Sequence, residues 1–168
     1  MQWYLPRAWG GPAQSTARAK EILDQAATQF EDLDWQVDRD RVQILDLAPS
    51  ERRPGAARTL LRQLKEAGIR VLHRPLPVNM DIAKKSEQDG VDALIAVGFE
   101  GGGHTGFYRI PTFVLIPKIA ESLQIPVIAG GGISTGREMA AALVLGAEGV
   151  FIGTGFIVAD ECPAHPNV

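Results

Sequence analysis

Hydrophobic and polar positions along the chain follow two alternating patterns. Short runs rich in Val, Ile, Leu and Ala are typical of strands, and longer stretches with apolar residues every three or four positions are typical of helices. The runs predict six strands: Gln2–Leu5, Val42–Leu47, Arg70–His73, Ala93–Val97, Val127–Ala129 and Gly149–Ile152. The longer stretches predict five helices: Thr16–Phe30, Gly55–Ala67, Asn79–Gln88, Val114–Leu123 and Gly136–Leu145. The charged segment Glu31–Arg41 is predicted to be a loop.

The strand–helix alternation repeats every 25–30 residues or so, which indicates βα units and a parallel sheet. We therefore expect residues 1–168 to form one domain of the α/β class. A closed barrel of eight βα units needs about 200–250 residues, and this chain has 168. The pattern leaves two architectures open: an open α/β sheet, or part of a TIM-like barrel with about six of the eight units.

Composition and charge narrow the class of protein. The chain is 45% hydrophobic and 22% charged, with a formal net charge of -3. This balance offers no basic surface for nucleic acid or an anionic membrane, and no apolar run approaches the roughly 20 residues of a spanning helix. The start lacks the pattern of a secretory signal. The single cysteine, Cys162, cannot form an internal disulfide, and no Cys/His spacing suggests a metal site. We expect a cytoplasmic protein without metal.

Glycine-rich segments follow three successive predicted strands. They are Gly98–Gly106, Gly130–Ile133 and Gly153–Phe156. Parallel α/β proteins bind ligands at this carboxyl edge of the sheet, and glycine allows backbone N–H groups to approach an anion closely. A single loop of this kind is explained by a tight turn, but the last two together favour a phosphate site. The dinucleotide pattern G-x-G-x-x-G in its usual setting and the Walker A pattern are both absent.

Two ionisable side chains are candidates for chemistry at the same edge. His104 lies among the glycines of the first loop, and its ordinary pKa near 6.5 suits proton transfer. Arg74 ends its predicted strand, where it could hold an anion or a polarised carbonyl, or be a solvated surface charge. Glu100 could brace its loop or orient His104. Cys162 has no basic neighbour in the sequence, and we interpret it as non-catalytic.

An ordered set of motifs resembles the nitronate monooxygenase family (2-nitropropane dioxygenases), which includes the flavin-dependent enoyl-ACP reductases. The motifs are E-G-G-G-H-T-G at 100–106, I-P-V-I-A-G-G-G-I at 125–133, M-A-A-A-L at 139–143, L-G-A-E-G-V at 145–150, G-T-G-F at 153–156 and E-C-P-A-H-P at 161–166. The resemblance is strong from Gly68 to Val168. Gly155 replaces the arginine that the family usually carries in the last loop.

The resemblance implies a βα barrel that binds FMN without a covalent bond. It places His104 beside the flavin ring and substrate, and Arg74 near the pyrimidine side of the flavin. The implied cofactor-binding residues are Arg74, Gly103, Gly131, Gly132, Gly153 and Thr154. The family's opening P-M-x-x segment and its asparagine have no counterpart, so the resemblance favours a TIM-like barrel lacking its N-terminal units.

The implied activity is oxidation of nitronates or nitroalkanes by O₂, giving a carbonyl compound and nitrite. One alternative is an enoyl thioester reductase that uses NAD(P)H, and another is a truncated, non-catalytic member of the family. Incomplete barrels leave unpaired strand edges that attract another chain. We therefore expect a homodimer formed through edges near Gln2–Leu5 and Gly149–Ile152.

Overall fold

The computed structural model of the chain describes residues 2–4, 21–22, 24–25, 34–38, 41–45, 56–75, 78–102 and 108–162. These ranges contain seven strands: β1 (Gln2–Tyr4), β2 (Asp34–Asp38), β3 (Arg41–Leu45), β4 (Arg70–Arg74), β5 (Ala93–Val97), β6 (Val127–Gly130) and β7 (Gly149–Ile152). They contain the helices α1 (Ala56–Glu66), α2 (Met80–Asp89), α3 (Thr112–Ser122), α4 (Gly136–Val144) and α5 (Thr154–Ile157). Residues 21, 22, 24 and 25 are also helical; the rest of the predicted helix Thr16–Phe30 lies outside the described residues.

All seven strands belong to one sheet in the order β1-β7-β6-β5-β4-β3-β2. The five strands from β3 to β7 pair in parallel with one another. A helix connects each strand of this series to the next one. The predicted α/β class with a parallel sheet is therefore confirmed. Within the described ranges, β1 and β2 form the two ends of the sheet.

Two predictions about the margins of the sheet are wrong. Asp34–Asp38, which was predicted to be part of a loop, is strand β2 and pairs antiparallel with β3. The charged residues Asp34 and Asp38 at its two ends conceal the alternating pattern of this strand. Pairing with β3 in a hairpin gives the strand its hydrogen-bonding partner. Gly149–Ile152 is not an open edge, because Gln2–Tyr4 pairs with it in the antiparallel direction, with Trp3 opposite Phe151. A strand of only three residues, such as β1, carries no sequence signal for the direction in which it pairs with its neighbour.

Side chains of the parallel strands alternate between two packed layers. On the outer face, a cluster that includes Leu94, Ala129 and Val150 packs with residues of α3 such as Ile116. The inner face carries a second cluster, made by Leu72, Ala93, Ile95, Ile128 and Phe151. Ala93 and Ile95 are fully buried although no described helix covers this face. Arg74 of β4 contacts Phe151 of β7 across this face with two strands between them, which indicates that the face is concave, as in part of a barrel.

Carboxylates join the elements at the amino-terminal edge of the sheet. Asp92, just before β5, accepts a hydrogen bond from the Val71 N–H of β4 at 2.8 Å and one from Lys65 of α1 at 2.7 Å. Glu87 of α2 accepts from the Gln124 N–H at 2.6 Å, ahead of β6. These bonds satisfy backbone groups that have no ladder partner. They fix the relative heights of β4, β5 and β6 at the edge opposite the glycine loops.

His73 of β4 is a buried histidine on the outer face. Its ring is 6% exposed, and its Nδ1 lies 2.8 Å from Ser86 Oγ of α2. Ser86 Oγ donates to the Ile82 carbonyl, so its single proton is in use and His73 Nδ1 carries the proton that Ser86 accepts. Burial lowers the pKa of His73 from 6.5 to about 4, against the opposing attraction of Asp89. The ring is therefore neutral at pH 7.

This neutral ring predicts a loss of stability in acid. The folded pKa lies below the unfolded value of 6.5, so the unfolded chain takes up a proton first, and stability decreases as pH falls from about 6.5 towards 4. Between pH 7 and pH 5 we expect His73 to account for a loss of about 2 kcal/mol. Urea unfolding at several pH values measures it. The variant His73→Asn keeps a donor towards Ser86 without titrating, so its stability should change less over this range. An equal pH dependence in the two proteins would contradict the assignment.

Candidate functional site

The three glycine loops meet at the carboxyl edge of β5, β6 and β7. A Cβ atom placed on Gly131 would lie 3.0 Å from the Gly98 carbonyl oxygen, and one on Gly102 would lie 3.4 Å from Thr154 Oγ1. A Cβ atom on Gly155 would lie 3.3 Å from Ser134 Cα. Each loop therefore contacts both of the others. We call this cluster, formed by residues 98–102, 130–134 and 153–155, the three-loop site.

The second loop depends on glycine for its backbone conformation. Gly131 and Gly132 have φ angles of +94° and +68°, a region that other residues rarely adopt. Gly131 is enclosed, because a Cβ atom there would lie 2.9 Å from Thr112 Oγ1. Gly132 is exposed and presents its backbone to solvent. The loop thus packs on one side and leaves main-chain groups accessible on the other.

The third loop is less crowded. Gly153 has no atom within 4 Å of the place where a Cβ would stand. Thr154, which follows it, is exposed and begins the short helix α5. First-turn N–H groups have no acceptor inside their own helix. Open space beside Gly153 and exposed main chain at Gly132 leave room at the site for an anionic group.

Glu100 braces the first loop against α3. Its carboxylate accepts the Thr112 N–H at 3.0 and 3.2 Å and the Thr112 hydroxyl at 2.8 Å. The preceding residue adds a main-chain bond, from the Phe99 N–H to the Ile110 carbonyl at 3.0 Å. Of the two roles expected for Glu100, bracing of its loop is the one that the structure shows. A role in orienting His104 lies outside the described residues.

The beginning of α4 is already capped by a carboxylate of its own. Glu138 Oε2 accepts the N–H groups of Ser134 at 2.7 Å and Thr135 at 2.6 Å, in a capping box. These backbone hydrogen bonds lower the pKa of Glu138. The sequence signal for this cap is the T-x-x-E pattern at 135–138, which the prediction of a phosphate site did not take into account. An anion at the three-loop site therefore meets the glycine main chain, since Ser134 and Thr135 are occupied.

Arg74 reaches across the concave face of the sheet. Its guanidinium carbon lies 5.5 Å from the centre of the Phe151 ring, a cation–π contact. β5 and β6 separate β4 from β7, and three strand spacings of about 4.8 Å would hold these side chains apart on a flat sheet. The curvature therefore places the half-buried guanidinium of Arg74 beside the Phe151 ring, two residues before the third glycine loop.

The structure brings together most of the residues that the sequence singled out. Gly131, Gly132, Gly153 and Thr154 lie in the three-loop site, with Arg74 on the concave face below. Gly103 and His104 lie outside the described residues. Sequence reasoning missed Thr112, a buried side chain that contacts the first two loops. Its position one residue after a proline that precedes a helix was the available signal.

Two other kinds of site are absent from the described residues. No group of three or more His, Cys, Asp or Glu side chains in these ranges could hold a metal ion. None of the helices described above is long and apolar enough to cross a membrane.

Comparison with known proteins gives a consistent set of similarities. A family model described as nitronate monooxygenase matches residues 15–168. A probable nitronate monooxygenase of Staphylococcus aureus (strain MSSA476) is 40% identical over 114 residues, which cover 63% of this chain and 32% of that protein. The chain thus spans about a third of the length of that curated relative.

Solved structures are similar over most of the chain. FabK from Thermotoga maritima has a TM-score of 0.62 and 31% identity, covering 95% of this chain and 59% of its own. The nitroalkane oxidase of Streptomyces ansochromogenes has a TM-score of 0.58 and 26% identity, covering 92% of this chain and 50% of its own. Both similarities extend well beyond the motif-rich segment that follows Gly68.

The crowding at Gly131 makes a direct prediction for stability. Gly131→Ala adds a Cβ at positive φ and against Thr112 and Gly98, so we expect a loss of about 2 kcal/mol or more in the free energy of unfolding. Gly136→Ala is the matched control, because nothing lies within 4 Å of its Cβ position and alanine favours a helix. Urea unfolding of both variants measures the difference. Equal stability of the two would show that the second loop is not confined as described.

Proposed function

The chain belongs to the nitronate monooxygenase family, and on that premise we propose that its three-loop site binds FMN for the oxidation of nitronates or nitroalkanes by O₂. The observation that carries the proposal is the meeting of three glycine loops at one edge of the sheet, with the half-buried cation of Arg74 packed on Phe151 of β7 nearby. Similarity to the nitroalkane oxidase of Streptomyces ansochromogenes supports the same substrate class. When bound, FMN supplies the capacity to accept electrons from the substrate and pass them to O₂.

The residues of the site fit a flavin phosphate. We assign the phosphate to the main chain of Gly131, Gly132, Gly153 and Thr154. Gly132 exposes its backbone and Gly153 has open space at its Cβ position, so a dianion can approach both closely. Gly103, which precedes His104 in the E-G-G-G-H-T-G segment, and Arg74 complete the proposed cofactor-binding set.

Arg74 supplies the charge that a reduced flavin needs. Its guanidinium is held over Phe151 on the concave face, below the third loop. A fixed cation there would stabilise the negative charge of the reduced cofactor. The guanidinium would not have to move when that charge develops. Packing against the Phe151 ring keeps the guanidinium in place, because the ring face attracts a cation.

His104 is the proposed catalytic residue. It follows Gly102 by two positions, and Gly102 lies beside Thr154 in the three-loop site. Its imidazole would remove the α-proton of a neutral nitroalkane as a general base, or hold an anionic nitronate once protonated. A base with an ordinary pKa near 6.5 serves both tasks near neutral pH.

The proposed partners are a small-molecule substrate and O₂, with a second copy of the chain. We retain the homodimer as a proposal, with a changed geometry. β1 covers β7, so the strands that end the described sheet, and that would pair across a dimer, are β1 and β2.

Flavin binding tests the cofactor assignment. The unmutated protein should bind FMN, seen as quenching of flavin fluorescence and a shifted visible spectrum. Gly153→Val should abolish binding, because its side chain fills the open space assigned to the phosphate, at a residue without positive φ. Gly136→Val is the control, with equal open space but outside the proposed phosphate contacts. Failure of the unmutated protein to bind flavin would reject the proposal and favour a non-catalytic family member.

Turnover tests the role of His104. His104→Asn should retain FMN and lower the rate with a neutral nitroalkane by about 10²-fold, the usual contribution of a general base. A preformed nitronate needs no deprotonation, so its rate should fall less. An unchanged rate with the nitroalkane would remove His104 from the mechanism. Reduction of an enoyl thioester by NADH without oxygen, in place of nitronate oxidation, would identify the alternative activity.

A further inference from the structure

Thr112 holds a hydroxyl group at the junction of the first two glycine loops. The residue is 9% exposed and begins α3. Its Oγ1 lies 2.8 Å from Glu100 Oε2, 3.0 Å from the Gly131 carbonyl oxygen and 3.2 Å from the Gly130 carbonyl oxygen. All three neighbours are acceptors, and the hydroxyl has one proton to donate. One buried group therefore links the loop after β5 to the loop after β6.

The two loops pack closely around this hydroxyl. A Cβ atom on Gly98 would lie 2.1 Å from Thr112 Oγ1, and one on Gly131 would lie 2.9 Å from it. Glycine at both positions is thus required by the hydroxyl, and at Gly131 by backbone conformation as well. The Gly98 N–H donates to the Gly130 carbonyl at 3.0 Å, which makes the junction continuous with the sheet.

Glu100 gives the junction an electrostatic role. Its side-chain stem lies against Gly132, with its Cβ 3.3 Å from the position of a Gly132 Cβ. Its carboxylate is directed to the Thr112 N–H and hydroxyl. Released from Thr112, this negative charge could turn towards Gly132, where it would repel an anion.

We propose that Thr112, paired with Glu100, is a positioning residue for the anion-binding face of the second glycine loop. The hydroxyl fixes the Gly130–Gly131 main chain, and the pairing keeps the Glu100 carboxylate engaged away from Gly132. The identity of the anion, the FMN phosphate, rests on the proposed function. The coupling of Thr112 to the loop does not.

The first test compares Thr112→Val, which removes the hydroxyl at constant shape, with Thr112→Ser, which retains it. We expect Thr112→Val to weaken FMN binding about tenfold or more, as for a lost hydrogen bond to a charged group, and Thr112→Ser to bind within about threefold of the unmutated protein. Fluorescence titration measures the dissociation constant. Equal weakening in the two variants would overturn the proposal, because the hydroxyl would then not be the positioning group.

The second test needs no flavin. Amide hydrogen exchange in the unliganded protein should be faster at Gly131 and Gly132 in Thr112→Val and unchanged in Thr112→Ser. Unchanged exchange in both variants overturns the positioning role. If the unmutated protein binds no FMN, the proposed function fails, while this exchange comparison still decides the role of Thr112.

Glu100 variants provide an independent approach should Thr112→Val not fold. Glu100 is exposed, so Glu100→Ala and Glu100→Gln should both fold. Glu100→Ala removes the acceptors for Thr112 and should speed exchange at Gly131. Glu100→Gln retains an acceptor for the Thr112 N–H and should exchange more slowly than Glu100→Ala. Identical, unmutated-like exchange in both would contradict the pairing.

Discussion

Close approach of main chain to main chain at the carboxyl edge of β5, β6 and β7 is the constraint on which the site depends. At Gly98 and Gly131 the space for a Cβ atom is occupied by Thr112, and at Gly155 it is narrowed by Ser134 and Ile152. The curvature of the sheet accompanies this convergence, as the contact between Arg74 of β4 and Phe151 of β7 across two intervening strands indicates. The glycine content of these loops is therefore explained first by the lack of space for side chains, and only then by ligand binding.

Carboxylates near the site are held by the protein's own backbone. Glu100 is bound by Thr112 at the start of α3, and Glu138 by Ser134 and Thr135 at the start of α4. At the amino-terminal ends of both helices, where the helix dipole is positive, a glutamate of the chain itself supplies the negative charge. Among the described residues, the guanidinium of Arg74 faces the concave side, over Phe151. Such a balance favours a ligand that presents negative charge to glycine main chain and to one fixed cation.

The strength of periodic patterns explains how much of this was predictable from sequence. The central strands, the helices between them and the glycine loops at one edge all followed from alternation and glycine clustering, whereas the contact of Arg74 with Phe151 across the sheet did not. β2 was missed because Asp34 and Asp38 mask its alternation, and the direction of β1 because pairing with β7 is a tertiary choice. The Thr112–Glu100 contact joins residues 12 apart through a fold that no local pattern specifies.

The carboxylates at the opposite edge have a consequence for tolerance of change. Asp92 and Glu87 fix the heights of β4, β5 and β6 from below, through bonds to Val71 and Gln124. The alignment of these strands is thus fixed at the edge of the sheet opposite the glycine loops. The glycine loops at the other edge are held by contacts of their own, through Thr112 and Glu100. A change in the loop contacts at one edge therefore leaves the bonds that align the strands at the other edge in place.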